Sequence, residues 1–200
     1  MEPTGNNVPD KLNPGRELLR QYRICNPDLV ILPFVPGTSR PYRHIPDPVR
    51  PQSARDWTEE IWPRHANVGI ATGAPNRLVV LSMPIASRGA FIEDILDHDA
   101  EMSPYQVRRP GVAQFYFRSR YDCGPGPGKS ALSDRPEIIA YSDERCVTGV
   151  GSVIRGAAVI AAWDQTLELR HLPELPRYLA EDFGFAKIDS PLGFSPRFKL

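Results

Sequence analysis

The stretch Asn67-Val-Gly-Ile-Ala-Thr-Gly-Ala-Pro-Asn-Arg-Leu-Val-Val-Leu-Ser-Met-Pro84 decides the reading of this chain. Val68–Ala71 has the pattern of a small strand, and Gly73–Asn76 that of a turn, because Gly and Asn tolerate the backbone angles of a tight reversal. Leu78–Leu81 is an uninterrupted apolar strand. Just beyond it, residues 87–100 place Phe91, Ile92, Ile95 and Leu96 on one helical face, with Glu93, Asp94, Asp97 and Asp99 on the solvated one.

Upstream, Arg16–Arg23 has helical spacing, and Asp28–Val35 reads as a strand ended by Pro36-Gly37. Residues 36–56 form a long loop rich in Pro and Arg. Ser53 can cap a helix that runs to Arg64 and is stopped at Pro63. Downstream, Gln106–Val107, Val112–Arg118, Glu137–Tyr141, Cys146–Val150 and Ala157–Trp163 read as strands, and Leu175–Asp182 as a last helix. Strands and helices alternate without strict order. The expectation is an α+β fold: one domain over 16–182, with a mixed β-sheet flanked by helices, a flexible arm over 1–15 and a tail over 183–200.

Composition narrows the function classes. The chain has 200 residues, 41% of them hydrophobic and 24% charged, the proportions of a soluble globular protein. Its 22 prolines are about twice the average usage, so elements are short and loops many. No apolar run approaches the ~20 residues of a membrane helix. The N-terminus lacks the charged and apolar regions of a signal peptide, which makes a cytoplasmic, non-membrane protein the expectation. Formal net charge is zero, so contact with a phosphate backbone would have to come from a local patch. Cys25, Cys123 and Cys146 show no metal-ligand or disulfide spacing.

Several segments together resemble the bifunctional primase–polymerase domains of plasmids, phages and integrated elements. Trp62-Pro-Arg-His-Ala-Asn67, followed by Val-Gly-Ile-Ala-Thr-Gly73, is similar to the family's Asn-x-Gly-Ile-Ala-Thr-Gly segment. Ile31–Pro41 resembles its early strand and loop, in which a basic residue, here Arg40, precedes Pro. Phe115–Arg118 resembles the strand of the second motif. Glu137-Ile-Ile, and then Cys146–Ser152, resemble the third acidic strand and the turn that ends in Ser. Trp163 and Leu172–Pro176 resemble the domain's close. The likeness runs in order over about residues 28–180.

The resemblance implies a chemistry that these residues do not complete. Joining a 3′ hydroxyl to a triphosphate uses two divalent metals about 4 Å apart. Mg²⁺ or Mn²⁺ takes hard oxygen ligands, which the family supplies as Asp-x-Asp at the end of the apolar strand. Here those positions are Ser82, a neutral hydroxyl, and Pro84, which has no donor atom. The family's phosphate-contacting His is replaced by Gln114, which can hydrogen-bond but carries no charge. Glu137 fits the third acidic position, but a single carboxylate is a poor metal site, and a surface Glu opening a strand fits equally well.

Cys123–Ser130 ends like a phosphate-binding loop but begins with Cys, and Pro125 and Pro127 remove backbone donors, so it reads as a flexible loop. Arg108 and Arg109 precede the Val112–Arg118 strand. Alternation puts Arg118 and Arg120 on the same face as Gln114 and Tyr116, either as a phosphate-binding face or as ordinary surface arginines. The expectation is a primase–polymerase-like domain without catalysis and without a cofactor. It would bind single-stranded DNA, a nucleoside triphosphate or a replication protein such as a helicase, in replication of a mobile element. Arg40, Asn67, Gln114, Arg118 and Ser152 are its expected contacts. The alternatives are an active polymerase with a rearranged Mg²⁺ or Mn²⁺ site around Glu137, and a scaffold with no nucleotide role.

Overall fold

The computed structural model describes residues 15–43, 51–122, 129–132, 134–142, 145–161, 168–169 and 171–187. Residues 1–14 of the arm expected over 1–15, the Cys123–Gly128 part of the Pro/Gly loop, Trp163 and the tail beyond Lys187 lie outside them, whereas Gly15 opens the first helix and is buried. In chain order the elements are α1 (Gly15–Cys25), β1 (Val30–Phe34), β2 (Gln52–Ser53), β3 (Asn67–Ala71), β4 (Leu78–Pro84), α2 (Arg88–His98), β5 (Tyr105–Arg109), β6 (Val112–Arg118), β7 (Tyr121–Asp122), β8 (Lys129–Ala131), β9 (Ile139–Tyr141), β10 (Cys146–Thr148), β11 (Val153–Ile154), β12 (Ala157–Ala158), β13 (Ile160–Ala161), α3 (Arg177–Asp182) and β14 (Ala186–Lys187). Single turns of 3₁₀ helix cover Ala54–Asp56 and Ile85–Ser87.

This is an α+β domain. A six-stranded sheet has the order β13-β5-β6-β4-β9-β8, and a four-stranded sheet the order β10-β3-β1-β2. The sheet core was expected to be mixed, but every ladder among the described residues is antiparallel. β4 occupies the interior of the larger sheet, between β6 and β9. That position explains its unbroken apolar sequence. Val79, Leu81 and Met83 pack with Phe91 and Ile95 of α2 and with Leu179 of α3. Leu78 and Val80 point the other way, into a cluster with Leu18, Leu19 and Tyr22 of α1 and with Ile31, Val68 and Ile70 of the smaller sheet. A strand buried on both faces has no polar alternation to show.

The helix expected over Ser53–Arg64 does not form. Ser53 joins β2, opposite Val30, and only Ala54–Asp56 make a helical turn. Trp57 and Trp62 supply the reason. Both are buried, packed edge to face with centroids 5.2 Å apart, and the Trp57 indole N–H donates to Ile31 O at 3.0 Å. On a continuous helix, side chains five positions apart diverge by about 140° at 100° per residue. One indole would then face solvent, giving up about 1.5–3 kcal/mol of burial.

Smaller departures follow from packing. In α2, Phe91 and Ile95 are buried, but Leu96 is 41% exposed, so the apolar face is narrower than its sequence implies. Asp94 is drawn off the solvated face by Arg135, at 3.4 Å. Lys129–Ala131, expected in a loop, pairs with β9. Glu137 precedes β9 in a turn. Phe183 and Phe185 stack against each other and pack on the α2–α3 side, so packed structure continues past 182. Asn76 closes one end of the smaller sheet. Its side-chain amide donates to Val30 O at 2.9 Å and to Ala71 O at 2.7 Å, and its carbonyl accepts from Val30 N at 2.7 Å. Among the described residues no helix is long and apolar enough to cross a membrane.

Candidate functional site at the end of β4

Antiparallel register brings two of the expected positions side by side. Ser82 lies directly opposite Gln114 of β6, and Gln114 opposite Val107 of β5. Residues so opposed share a face, with Cβ atoms about 5 Å apart. That face looks toward the smaller sheet, since Val107 belongs to the cluster that holds β1 and β3. Ser82 is 6% exposed and Gln114 1%. The Gln114 Oε1 is buried without a hydrogen-bond partner. Such an orphaned acceptor costs about 1–3 kcal/mol, so the fold tolerates a polar atom here that it does not satisfy.

Pro84, opposite Val112, ends β4 on the same alternation as Ser82 but is exposed. Glu137 is also exposed, two residues before Ile139, which pairs with Ser82. Together these positions offer one hydroxyl, one amide and one solvated carboxylate. Among the described residues no group of three His, Cys, Asp or Glu converges as metal ligands. A pair of dications takes several carboxylates; of the expected motif positions at this end of β4, Glu137 alone carries one.

Arg109 adds the positive charge. It opposes Val112 and so shares the alternation of Gln114, and its guanidinium donates to Ser39 Oγ at 3.4 Å. Its Nε is buried without a partner. Tyr116, two residues along β6 from Gln114, has its phenol pKa pushed up by burial, with Arg109 pulling the other way. Arg108 does not join them. It opposes Ala113 on the α2 side, close to Arg88, whose own pKa is lowered first by burial and then by Arg108. The alternation of Tyr105 and Val107 in the sequence already favours Arg109 over Arg108 as the inward cation. Thr148 was not expected from sequence, because an isolated Thr at a strand end carries no signal; its Oγ1 is buried and unpartnered.

The remaining expected contacts separate into three situations. Asn67 and Ser152 are fully buried and engaged with backbone. Asn67 donates to Thr38 O at 3.2 Å and Val153 O at 2.7 Å, and accepts from Val153 N at 2.9 Å. Ser152 Oγ accepts from Val68 N at 3.0 Å. They fasten the loop before Arg40 and the turn before β11 to β3. Arg40 is exposed, and its carbonyl accepts from Val35 N at 2.8 Å, closing that loop. Arg118 sits opposite Leu78, at the far end of β6. It lies four positions along the strand from Gln114, about 13 Å. It shares the alternation of Gln114 but lies at the other end of β6. Arg120, beyond the strand, pairs with Glu174 at 3.0 Å.

No protein-family model and no curated protein matches this chain.

Proposed function

We propose that the chain is a primase–polymerase-like domain that has lost its metal site and serves as a DNA- or nucleotide-binding accessory module in replication of a mobile element. The observation that carries this reading is the pairing of Ser82 with Gln114, at the strand positions where the family it resembles places a metal-binding Asp and a phosphate-binding His. Coordinated replacement at Ser82, Pro84 and Gln114, in a strand pair that is otherwise intact, points to abandoned catalysis rather than abandoned structure. What remains is suited to recognition. A buried amide with an unfilled acceptor and a nearby guanidinium can hold a polar ligand through hydrogen bonds, without activating a hydroxyl for attack. Single-stranded DNA or a nucleoside triphosphate fits that donor set, and a helicase is the kind of replication protein such a module would serve.

The test is a pair of measurements on the whole chain. Fluorescence anisotropy at low salt should detect binding of a single-stranded oligonucleotide, weakened by Arg109→Gln. Primer extension with Mn²⁺ should give no product. Extension by the unaltered protein would overturn the reading in favour of a working enzyme. Absence of any binding to oligonucleotide or triphosphate would overturn it in favour of a scaffold. Product gained only in Ser82→Asp/Pro84→Asp would support the lost-metal reading directly.

A further inference from the structure

The two flanks of α2 differ. Phe91 and Ile95 seat the helix on the six-stranded sheet. One flank is closed by α3 and by the segment before β9. The Tyr178 ring stacks on His98 with centroids 4.0 Å apart, its hydroxyl donates to Asp94 Oδ2 at 3.4 Å, and Arg135 pairs with Asp94. The opposite flank carries Ile85, Gly89, Ile92 and Leu96, which recur at the spacing of one helical stripe and begin in the 3₁₀ turn before α2. Ile85 is 47% exposed and Leu96 41%, and a Cβ added at Gly89 would meet nothing within 4 Å.

The sheet beside that flank is open as well. Arg108 of β5 sits opposite Ile160 of β13 and Ala113 of β6, so the three share a face. Ala113 packs in the cluster under α2, which puts Arg108 and Ile160 on the helix side. Ile160 is 51% exposed. Arg88 donates to Gln106 Oε1 at 2.9 Å, so the first turn of α2 borders β5; with that bond made, Arg88 is not needed as a contact. Charge divides along the flank. Arg108 stands at its start, with its Nε buried and without a partner and no carboxylate paired with it among the described residues. Glu93 and Asp97 stand toward its end, exposed, one turn apart, and in no ion pair among the described residues. Like charges at that spacing repel. Both poles are therefore uncompensated within one chain.

We propose that this flank packs against the same flank of a second copy of the chain, with the two α2 helices antiparallel across a two-fold axis. Antiparallel order sets Ile85 of one copy beside Leu96 of the other and Gly89 beside Ile92. It brings Arg108 against Glu93 and Asp97 of the second copy. A two-fold repeats each contact, so both apolar ends are covered and both charged poles are matched at once. A second copy is the occupant that the surface itself specifies, because apolar residues at both ends and opposite charges at opposite ends of one helix are complementary to their own reverse. Neither Gln114 nor Arg109 takes part, so this pairing does not depend on what the Ser82–Gln114 site binds.

Sedimentation velocity of the whole chain over a range of concentrations tests it. The unaltered protein should move from the mass of one chain toward twice that mass as concentration rises. Leu96→Glu should abolish the shift. Arg108→Glu, and separately Glu93→Arg/Asp97→Arg, should each weaken association by about tenfold or more, because each sets like charges against one another across the two-fold. Mixed in equal amounts, those two variants should recover a dimer containing one of each, since both poles are then opposite in sign again. Variants that had merely lost their fold would not recombine. A monomer at every concentration would overturn the proposal and leave the flank to a different partner. Growth beyond twice the chain mass, a dimer indifferent to the charge reversals, or two reversed variants that stay apart when mixed would each overturn it as well.

Discussion

Replacing Gln114 with Met should make the protein more stable and less able to bind. Gln114 is 1% exposed, and its Oε1 has no partner. Removing an orphaned buried acceptor recovers up to the desolvation cost of about 1–3 kcal/mol. Met matches Gln closely in length and volume, so neither a cavity nor an overpacked site follows, and its flexible thioether adapts to the space between Val107 and Ser82. Loss of any residual interaction of the amide nitrogen offsets part of the gain, leaving about 1 kcal/mol net. In a chain of 200 residues that raises the thermal midpoint by about 2–4 °C. Urea unfolding read by tryptophan fluorescence measures the free energy, and anisotropy with a single-stranded oligonucleotide measures binding on the same preparation. A midpoint that falls by a comparable amount would refute the reasoning, since it would mean that the amide is satisfied within the fold. Raised stability with undiminished binding would keep the structural argument and remove Gln114 from the ligand site.

Asn67→Ala should be among the most damaging substitutions: it leaves Thr38 O, Val153 O and Val153 N without the amide, a loss of about 3 kcal/mol or more at 1–3 kcal/mol per orphaned buried group, visible in urea unfolding. Gly69→Ala would drive a methyl group into the Phe34 ring, which should cost about 1–3 kcal/mol by the same assay. Glu59, held below its ordinary carboxylate value chiefly by its hydrogen bond from Arg20, takes up fewer protons folded than unfolded between the two values. Its contribution is therefore complete above the ordinary carboxylate pKa and lost as pH falls through the lowered one, and NMR titration of the Glu59 carboxyl should show the ordinary value restored in Arg20→Ala.

The strands were legible where burial is two-sided or the pattern unbroken. β6 runs over Val112–Arg118, and β4 contains the apolar Leu78–Leu81 and extends through Pro84. Its polar end was harder to read, since Ser82 and Pro84 look like the close of a strand until the pairing with Gln114 and Val112 is seen. The Ser53–Arg64 segment misled because local helix signals say nothing about two tryptophans that must enter one core. Asn67 and Ser152 show a different limit. A polar side chain beside a motif can serve a ligand or the backbone, and only the partners at Thr38, Val153 and Val68 decide which. Arg118 shows that alternation fixes the face of a strand but not the distance along it, since it lies opposite Leu78 and Gln114 opposite Ser82.

The amide of Asn76 has a consequence for how the protein ages. Hydrolysis to aspartate would turn two donated hydrogen bonds, to Val30 O and Ala71 O, into contacts between a carboxylate and two carbonyl oxygens. The usual route to that product is ring closure by the next residue's amide nitrogen, and Arg77 N is engaged with Ala74 O at 3.4 Å. The arrangement that makes this amide hard to replace also keeps its neighbour from attacking it, so chemical wear should reach this turn only after the chain has opened.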